Sequence, residues 1–491
     1  MTESWVRNYL IVWLSAILAV GPANASPPPL SKERIAEIDA FVEQRMEELA
    51  IPGVAIALIT DGEIVHARGF GVTHAEGGPV TENTAFMIGS ISKPFTATAI
   101  LQLVEQGVLG LDDPVVEHVP WFRTRLKSAS DKITIRHLLS HRSGFSMFDG
   151  NRNQDGISNA PDALEQAVRD MAGLRLVSVP GAQYQYSNAN YQILGLLFER
   201  KSGNPFEAAV NTAILSATSM PNSAAGQLQP DGAGAAQGHR FWLTRPQPFR
   251  GEIGRGVVAQ GGIAASSQDL AQFLTHFINA DGRFLSPDMQ QQMITPAGSG
   301  PGAQYALGWF VRDFEDFRLV FHTGSNPGFE SIAGFSPDGR FGFVVLANTN
   351  SSFGNRNVAA LSRGVGNMVM GLPVPPVAFD LPSRIAFFVI CLFPLFMIMV
   401  IIGFLTIRKK LVPLNGKIFS GSAILRLVLP SLLLAGMAWT LLIGIPQIND
   451  VPMSAIFLFN PDLGLLLQSG GYLALFWAVV RPLLRWRAGR A

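Results

Sequence analysis

The chain has 491 residues and a net charge of +1, with 48% hydrophobic and only 15% charged residues. So balanced a charge offers no basic face for nucleic acid, and a chain this long exceeds a single core, so at least two units are expected. The shortage of charge is concentrated at the C-terminus, which points to a membrane. The single cysteine, Cys391, rules out an intrachain disulfide, so a fold outside the cytoplasm must stand on its core alone.

In chain order, Arg7, the apolar run Tyr9–Val20 and the small residues Ala23-Asn24-Ala25 form a secretory signal pattern over residues 1–25. An uncleaved anchor is the alternative. Ser31–Leu49 is predicted to be a helix, because Ile35, Ile38, Val42, Met46 and Leu49 recur three or four apart. Val54–Thr60 and Glu63–Phe70 read as strands joined by the Asp61-Gly62 turn. At the far end, Phe329–Phe335 and Phe341–Ala347 form a second hairpin across Pro337-Asp338-Gly339. Strands from both ends around a helical middle predict one antiparallel sheet flanked by helices with a mostly helical insert, an α+β design.

Three segments carry chemistry. Ser90-Ile91-Ser92-Lys93 places a serine one helical turn ahead of a lysine, on the same face. A serine needs a base to take its proton, and a lysine serves if burial lowers its pKa. Gly89 permits close backbone approach, and the first turn of a helix leaves N–H groups free to hold an oxyanion. Tyr186-Ser187-Asn188 follows the Pro180-Gly181 turn. In an extended segment its phenol and amide point the same way, and a tyrosinate is a competent base if cations depress its pKa. His322-Thr323-Gly324-Ser325 begins an inner strand edge along which an acyl substrate could lie. Taken singly, each has a plain alternative: an amphipathic helix, a tyrosine-rich turn, a core imidazole.

In this order the three segments resemble the penicillin-recognising serine hydrolases, the branch holding class C β-lactamases, D-alanyl-D-alanine carboxypeptidases and related esterases. That family carries Ser-x-x-Lys, Tyr-x-Asn and Lys/His-x-Gly. Further stretches are similar to it: Ile133–Phe145 with Leu138-Leu139-Ser140-His141, Gly261–Leu270, and Tyr305-Ala306-Leu307-Gly308-Trp309, which resembles a strand of that family. The resemblance spans Ser31 to Gly371. It implies that Ser90 is the acylated nucleophile, Lys93 shares its proton, and Tyr186 is general base and leaving-group acid. It further implies that Asn188 contacts the substrate amide and that His322, Thr323, Gly324 and Ser325 line the substrate. The N–H groups of Ser90 and Ser325 would form the oxyanion hole. His322 stands where many members have lysine, and histidine with an ordinary pKa near ~6.5 can be neutral at working pH. That leans toward a peptidase, amidase or esterase rather than an efficient antibiotic destroyer.

No metal or cofactor is expected. His137 and His141 are four apart and would share a helix face as zinc ligands do, but Leu138 stands where the metalloprotease pattern needs glutamate.

Pro373-Val374-Pro375-Pro376 opens a stiff linker, taken as 373–384. Beyond it, in a membrane region over 385–491, lie three apolar runs, Ile385–Ile407, Leu427–Ile445 and Leu463–Val480. The first is uncharged and long enough for a ~30 Å hydrocarbon core. Arg408, Lys409, Lys410, Lys417 and Arg426 follow the first run, and Arg481, Arg485, Arg487 and Arg490 follow the third. Pro446–Asp462 has no Lys or Arg. Positive loops face the cytoplasm, so the hydrolase domain over 26–372 is expected on the extracytoplasmic side, in the periplasm or at the cell exterior. The expected function is a membrane-anchored D-alanyl-D-alanine carboxypeptidase or β-lactamase-like enzyme. The alternatives are an esterase or amidase, or a non-hydrolysing wall sensor or scaffold. The expected partners are a small peptide, β-lactam or ester substrate, the membrane, and a membrane protein meeting the C-terminal helices.

Overall fold

A computed structural model describes residues 27, 29–74, 76–152, 158–226, 234–243, 245–249, 251–298, 302–350, 358–374, 381–407 and 421–488. The expected signal segment, linker residues 375–380, and Arg408, Lys409, Lys410, Lys417 and Arg490 lie outside the described residues. The described chain forms two compact units, one ending at Val374 and one beginning at Leu381.

The first unit is built on an antiparallel sheet. Helix α1 (Lys32–Leu49) is capped by Ser31, whose side chain accepts from the Arg34 N–H. Strands β1 (Gly53–Thr60) and β2 (Glu63–Gly71) form the N-terminal hairpin. Helix α2 (Ser92–Glu105), helix α3 (Asn188–Ser202), the single turn α4 (Val258–Gly261) and helix α5 (Ser267–Ile278) belong to the insert. Strands β3 (Gln304–Tyr305), β4 (Phe310–Asp313), β5 (Arg318–Asn326), β6 (Phe329–Phe335) and β7 (Gly342–Ala347) complete the sheet. Helix α6 (Ala359–Val369) follows.

Among the described residues the strand order is β2-β1-β7-β6-β5-β4-β3, so the two chain ends meet at β1 and β7, with Val54 opposite Ala347. Residues Val54 to Ile59 of β1 are all fully buried. Successive side chains point to opposite faces, so burial of every residue requires cover on both sides. Ala55, Ala57 and Ile59 pack with the insert helices, whereas Val54, Ile56 and Leu58 pack with Ile38 and Val42 of α1 and Leu361 and Val365 of α6.

The expected strand over Tyr305–Trp309 is interrupted. Strand β3 stops at Tyr305 because Gly308 turns the chain at φ +97°, where an added Cβ would lie 2.7 Å from the Ala97 Cβ of α2. The close approach of α2 sets where the strand that the resemblance implies must end.

The second unit holds α7 (Leu381–Ile407), α8 (Gly421–Trp439), which continues through a wide turn at Thr440–Gly444, and α9 (Pro461–Ala488). All three are long and apolar enough to cross a membrane. Met397, Ala438, Ala474 and Trp477 form their inner core, while Phe388, Leu392, Leu395, Phe396 and Met399 face outward. An apolar exterior of this kind suits lipid.

Candidate active site

Ser90 sits in a tight turn, Gly89–Ile91, immediately before α2, rather than on the regular helix that the sequence predicts. The i, i+3 relation survives: Lys93 Nζ lies 2.9 Å from Ser90 Oγ. Nζ also donates to the Gln260 carbonyl at 2.9 Å, while Thr96, one turn on, donates to the neighbouring Ala259 carbonyl. The α4 turn thus holds two consecutive carbonyls against one face of α2. Lys93 is fully buried, and loss of water pushes its pKa well below the ordinary lysine value. A neutral amine that donates one hydrogen to Gln260 has a lone pair left for the Ser90 proton.

Two glycines let the nucleophile turn meet the sheet. Gly89 adopts φ +53°, and an added Cβ would lie 2.5 Å from the Ser325 nitrogen. At Gly324 an added Cβ would lie 1.9 Å from the Ile88 oxygen. The Ser331 hydroxyl fastens the crossing: it lies 2.8 Å from the Ile88 carbonyl and 3.2 Å from that of Gly324. Ser90 and the N–H of Ser325 are therefore neighbours, as an oxyanion pocket requires. The exposed Ser325 hydroxyl accepts from Asn350 Nδ2 at 3.0 Å.

The Tyr186 ring centroid is 5.0 Å from Lys93 Nζ, and its phenol is close enough to Ser90 to feel that hydroxyl. The condition for a tyrosinate is not met. Burial raises the Tyr186 pKa, and the nearby Ser90 hydroxyl offsets this only in part. Asn188 begins α3 rather than extending the strand-like segment. Its Nδ2 donates to Asn151 Oδ1 at 2.8 Å, and its own Oδ1 is buried without a protein partner.

His322 is 1% exposed. Its Nδ1 lies 2.6 Å from the Thr323 carbonyl and its Nε2 lies 3.1 Å from the Tyr305 hydroxyl. Desolvation, and then the proximity of Lys93, lower its pKa to about 3, so the ring is neutral at physiological pH.

His137 and His141 do not share a helix face. The helix Ile135–Leu139 ends between them, and His141 takes a left-handed backbone at φ +54°. His141 instead grips the Tyr186 segment. Its carbonyl accepts from the Gln185 N–H, and its Nδ1 accepts from the Ser187 N–H and from Asn190 Nδ2. Its ring lies 4.2 Å from that of Tyr186. Gln260, Asn151, Ser331 and Asn350 were not legible as site residues in the sequence. His141 and Tyr305 were marked only by the short motifs that contain them.

This chain belongs to the Beta-lactamase family, whose model matches residues 38–365. It is 27% identical over 341 residues to Protein flp of Staphylococcus aureus strain N315, covering 69% of this chain and 68% of that one. It is 34% identical to Esterase EstB of Burkholderia gladioli over 207 residues, 40% of this chain and 53% of the esterase. Among solved structures it resembles the octameric penicillin-binding protein homologue from Pyrococcus abyssi, with 27% identity, a TM-score of 0.59, and coverage of 72% of this chain and 81% of that one. It also shares its fold with the D-alanine carboxypeptidase AmpC of Burkholderia cenocepacia, at 22% identity and a TM-score of 0.57, over 69% of this chain and 99% of that one.

Proposed function

We propose that the protein is a membrane-anchored, extracytoplasmic serine hydrolase that works through an acyl-enzyme, and that esters or amides are its substrates. The observation that carries this reading is the buried amine of Lys93, 2.9 Å from Ser90 Oγ. Lys93 takes the Ser90 proton as Oγ bonds to the acyl carbon. The carbonyl electrons move onto oxygen, held by the N–H groups of Ser90 and Ser325. Collapse breaks the bond to the leaving group, and the proton reaches the leaving atom through Tyr186. Water then enters by the same steps in reverse and releases the acid. Tyr186 acts in this scheme as a protonated relay, consistent with its raised pKa.

The esterase or amidase reading is favoured over the carboxypeptidase one by His322. A neutral, buried ring supplies no counter-charge for a terminal carboxylate. The relation to Esterase EstB supports the same side. The extracytoplasmic placement rests on the positive residues that follow the first and third apolar runs and on the signal-like N-terminus.

The test is intact-mass labelling of the full chain in detergent, with a fluorophosphonate and a fluorescent penicillin, beside Ser90→Ala. Fluorophosphonate labelling that disappears in the variant is expected. Absence of labelling by either probe, in folded protein, would sink the catalytic reading and leave a non-hydrolysing sensor.

A further inference from the structure

We infer that Tyr305 sets substrate choice at this site, by holding His322 as a neutral acceptor so that acyl donors without a carboxylate beside the scissile bond are preferred. The inference rests on the acyl-enzyme reading above. The Thr323 carbonyl can only accept, so the hydrogen of His322 lies on Nδ1, 2.6 Å away. In the neutral ring that burial favours, Nε2 carries the lone pair and faces the Tyr305 hydroxyl, 3.1 Å away, which can donate to it. Both ring nitrogens are thereby used inside the protein, and neither is left to donate to substrate.

The arrangement is held on several sides. The Phe310 ring lies 5.3 Å from the His322 ring and stands edge-on to Tyr305 at 4.7 Å. The His141 ring lies 4.6 Å from Tyr305. The hydroxyl of Tyr305 therefore cannot swing away without breaking an aromatic cluster. A carboxylate brought to this strand would lose water and meet no cation from His322, which is costly in a desolvated site. A neutral ester group loses far less. Tyr184 adds to the preference: it is 39% exposed, and its ring stacks on Tyr305 at 5.9 Å and 30°, which brings a second aromatic side chain to the cluster. The substrate class is an uncharged ester with an apolar or aromatic portion.

The experiment compares two esters, an N-acylglycyl ester of lactic acid and the same compound as its methyl ester, each corrected for spontaneous hydrolysis. Both are assayed on the full chain in detergent. The wild type is expected to favour the methyl ester by about tenfold or more in kcat/KM. Tyr305→Phe keeps the ring and its packing but frees Nε2 to take a proton beside a carboxylate. This variant should reduce the preference about fivefold, chiefly through a lower KM for the acid. His322→Gln, which keeps the position neutral, should retain the preference. Equal use of both esters by the wild type, an unchanged ratio in Tyr305→Phe, or loss of preference in His322→Gln would each overturn the inference. Fluorophosphonate labelling in the same samples separates the two readings. With labelling intact only the substrate inference falls, whereas without labelling the acyl-enzyme reading falls as well.

Discussion

The Lys93 amine donates to the main-chain carbonyl of Gln260, 2.9 Å away and 167 positions distant in the chain. This contact orients the amine. It uses one N–H and holds the amine 2.9 Å from Ser90 Oγ, so that the amine, once neutral, can turn its lone pair to the Ser90 proton. The tendency to be neutral comes from burial, and the direction of the lone pair comes from a carbonyl on a different helix.

Lys93→Met should abolish acylation and stabilise the fold. The native state binds fewer protons than the unfolded chain between the depressed pKa of Lys93 and its ordinary value of 10.5, so wild-type stability rises with pH across that window. Methionine fills similar space with no charge to lose. Thermal melts at pH 7 should show a gain of about 0.5–2 kcal/mol, and the slope of stability against pH should flatten. A variant less stable than the wild type at pH 7 would contradict the desolvated amine.

Gly324→Ala should damage turnover more than stability. The new methyl would fall 1.9 Å from the Ile88 oxygen and push β5 from the nucleophile turn. Overpacking of this kind costs about 1–3 kcal/mol. Displacing the Ser325 N–H should lower kcat by about 10²-fold. Wild-type kcat in a folded variant would remove Ser325 from the oxyanion pocket.

Asn151→Ala should leave the Asn188 amide without its acceptor, since Asn188 Nδ2 donates to Asn151 Oδ1 at 2.8 Å. Loss of such a bond costs about 1 kcal/mol. Turnover of amide substrates should fall several-fold, and Asn151→Asp, which keeps an acceptor oxygen, should restore most of it. Equal loss in both variants would mean that the effect is not orientation of Asn188.

The membrane orientation is checked in a Cys391→Ser background. Asp450→Cys should react with a membrane-impermeant maleimide in intact cells, and Ala491→Cys only after lysis. The reverse pattern would place Ser90 in the cytoplasm.

Much of the architecture is written in local pattern. The hairpins around Asp61-Gly62 and Pro337-Asp338-Gly339, the helix read over Ser31–Leu49 and the three apolar runs depend on near neighbours, and the structure has an element at each of those places. The Tyr305–Trp309 stretch is the counterexample, because Gly308 answers to the surface of α2 rather than to its own sequence.

By itself the sequence determined the order of the Ser-x-x-Lys, Tyr-x-Asn and His-x-Gly segments, the i, i+3 pairing of Ser90 with Lys93 and the apolar C-terminal runs, because covalent spacing and local periodicity suffice for these. Only the tertiary structure decided the protonation states. Desolvation lowers the pKa of Lys93 and of His322 and raises that of Tyr186, and desolvation depends on what the rest of the chain packs around them. The partners came from the same source. The Gln260 carbonyl, the Asn151 amide, the Ser331 hydroxyl and the Tyr305 hydroxyl reach the site from distant segments, and no short-range pattern encodes a contact made across a folded core.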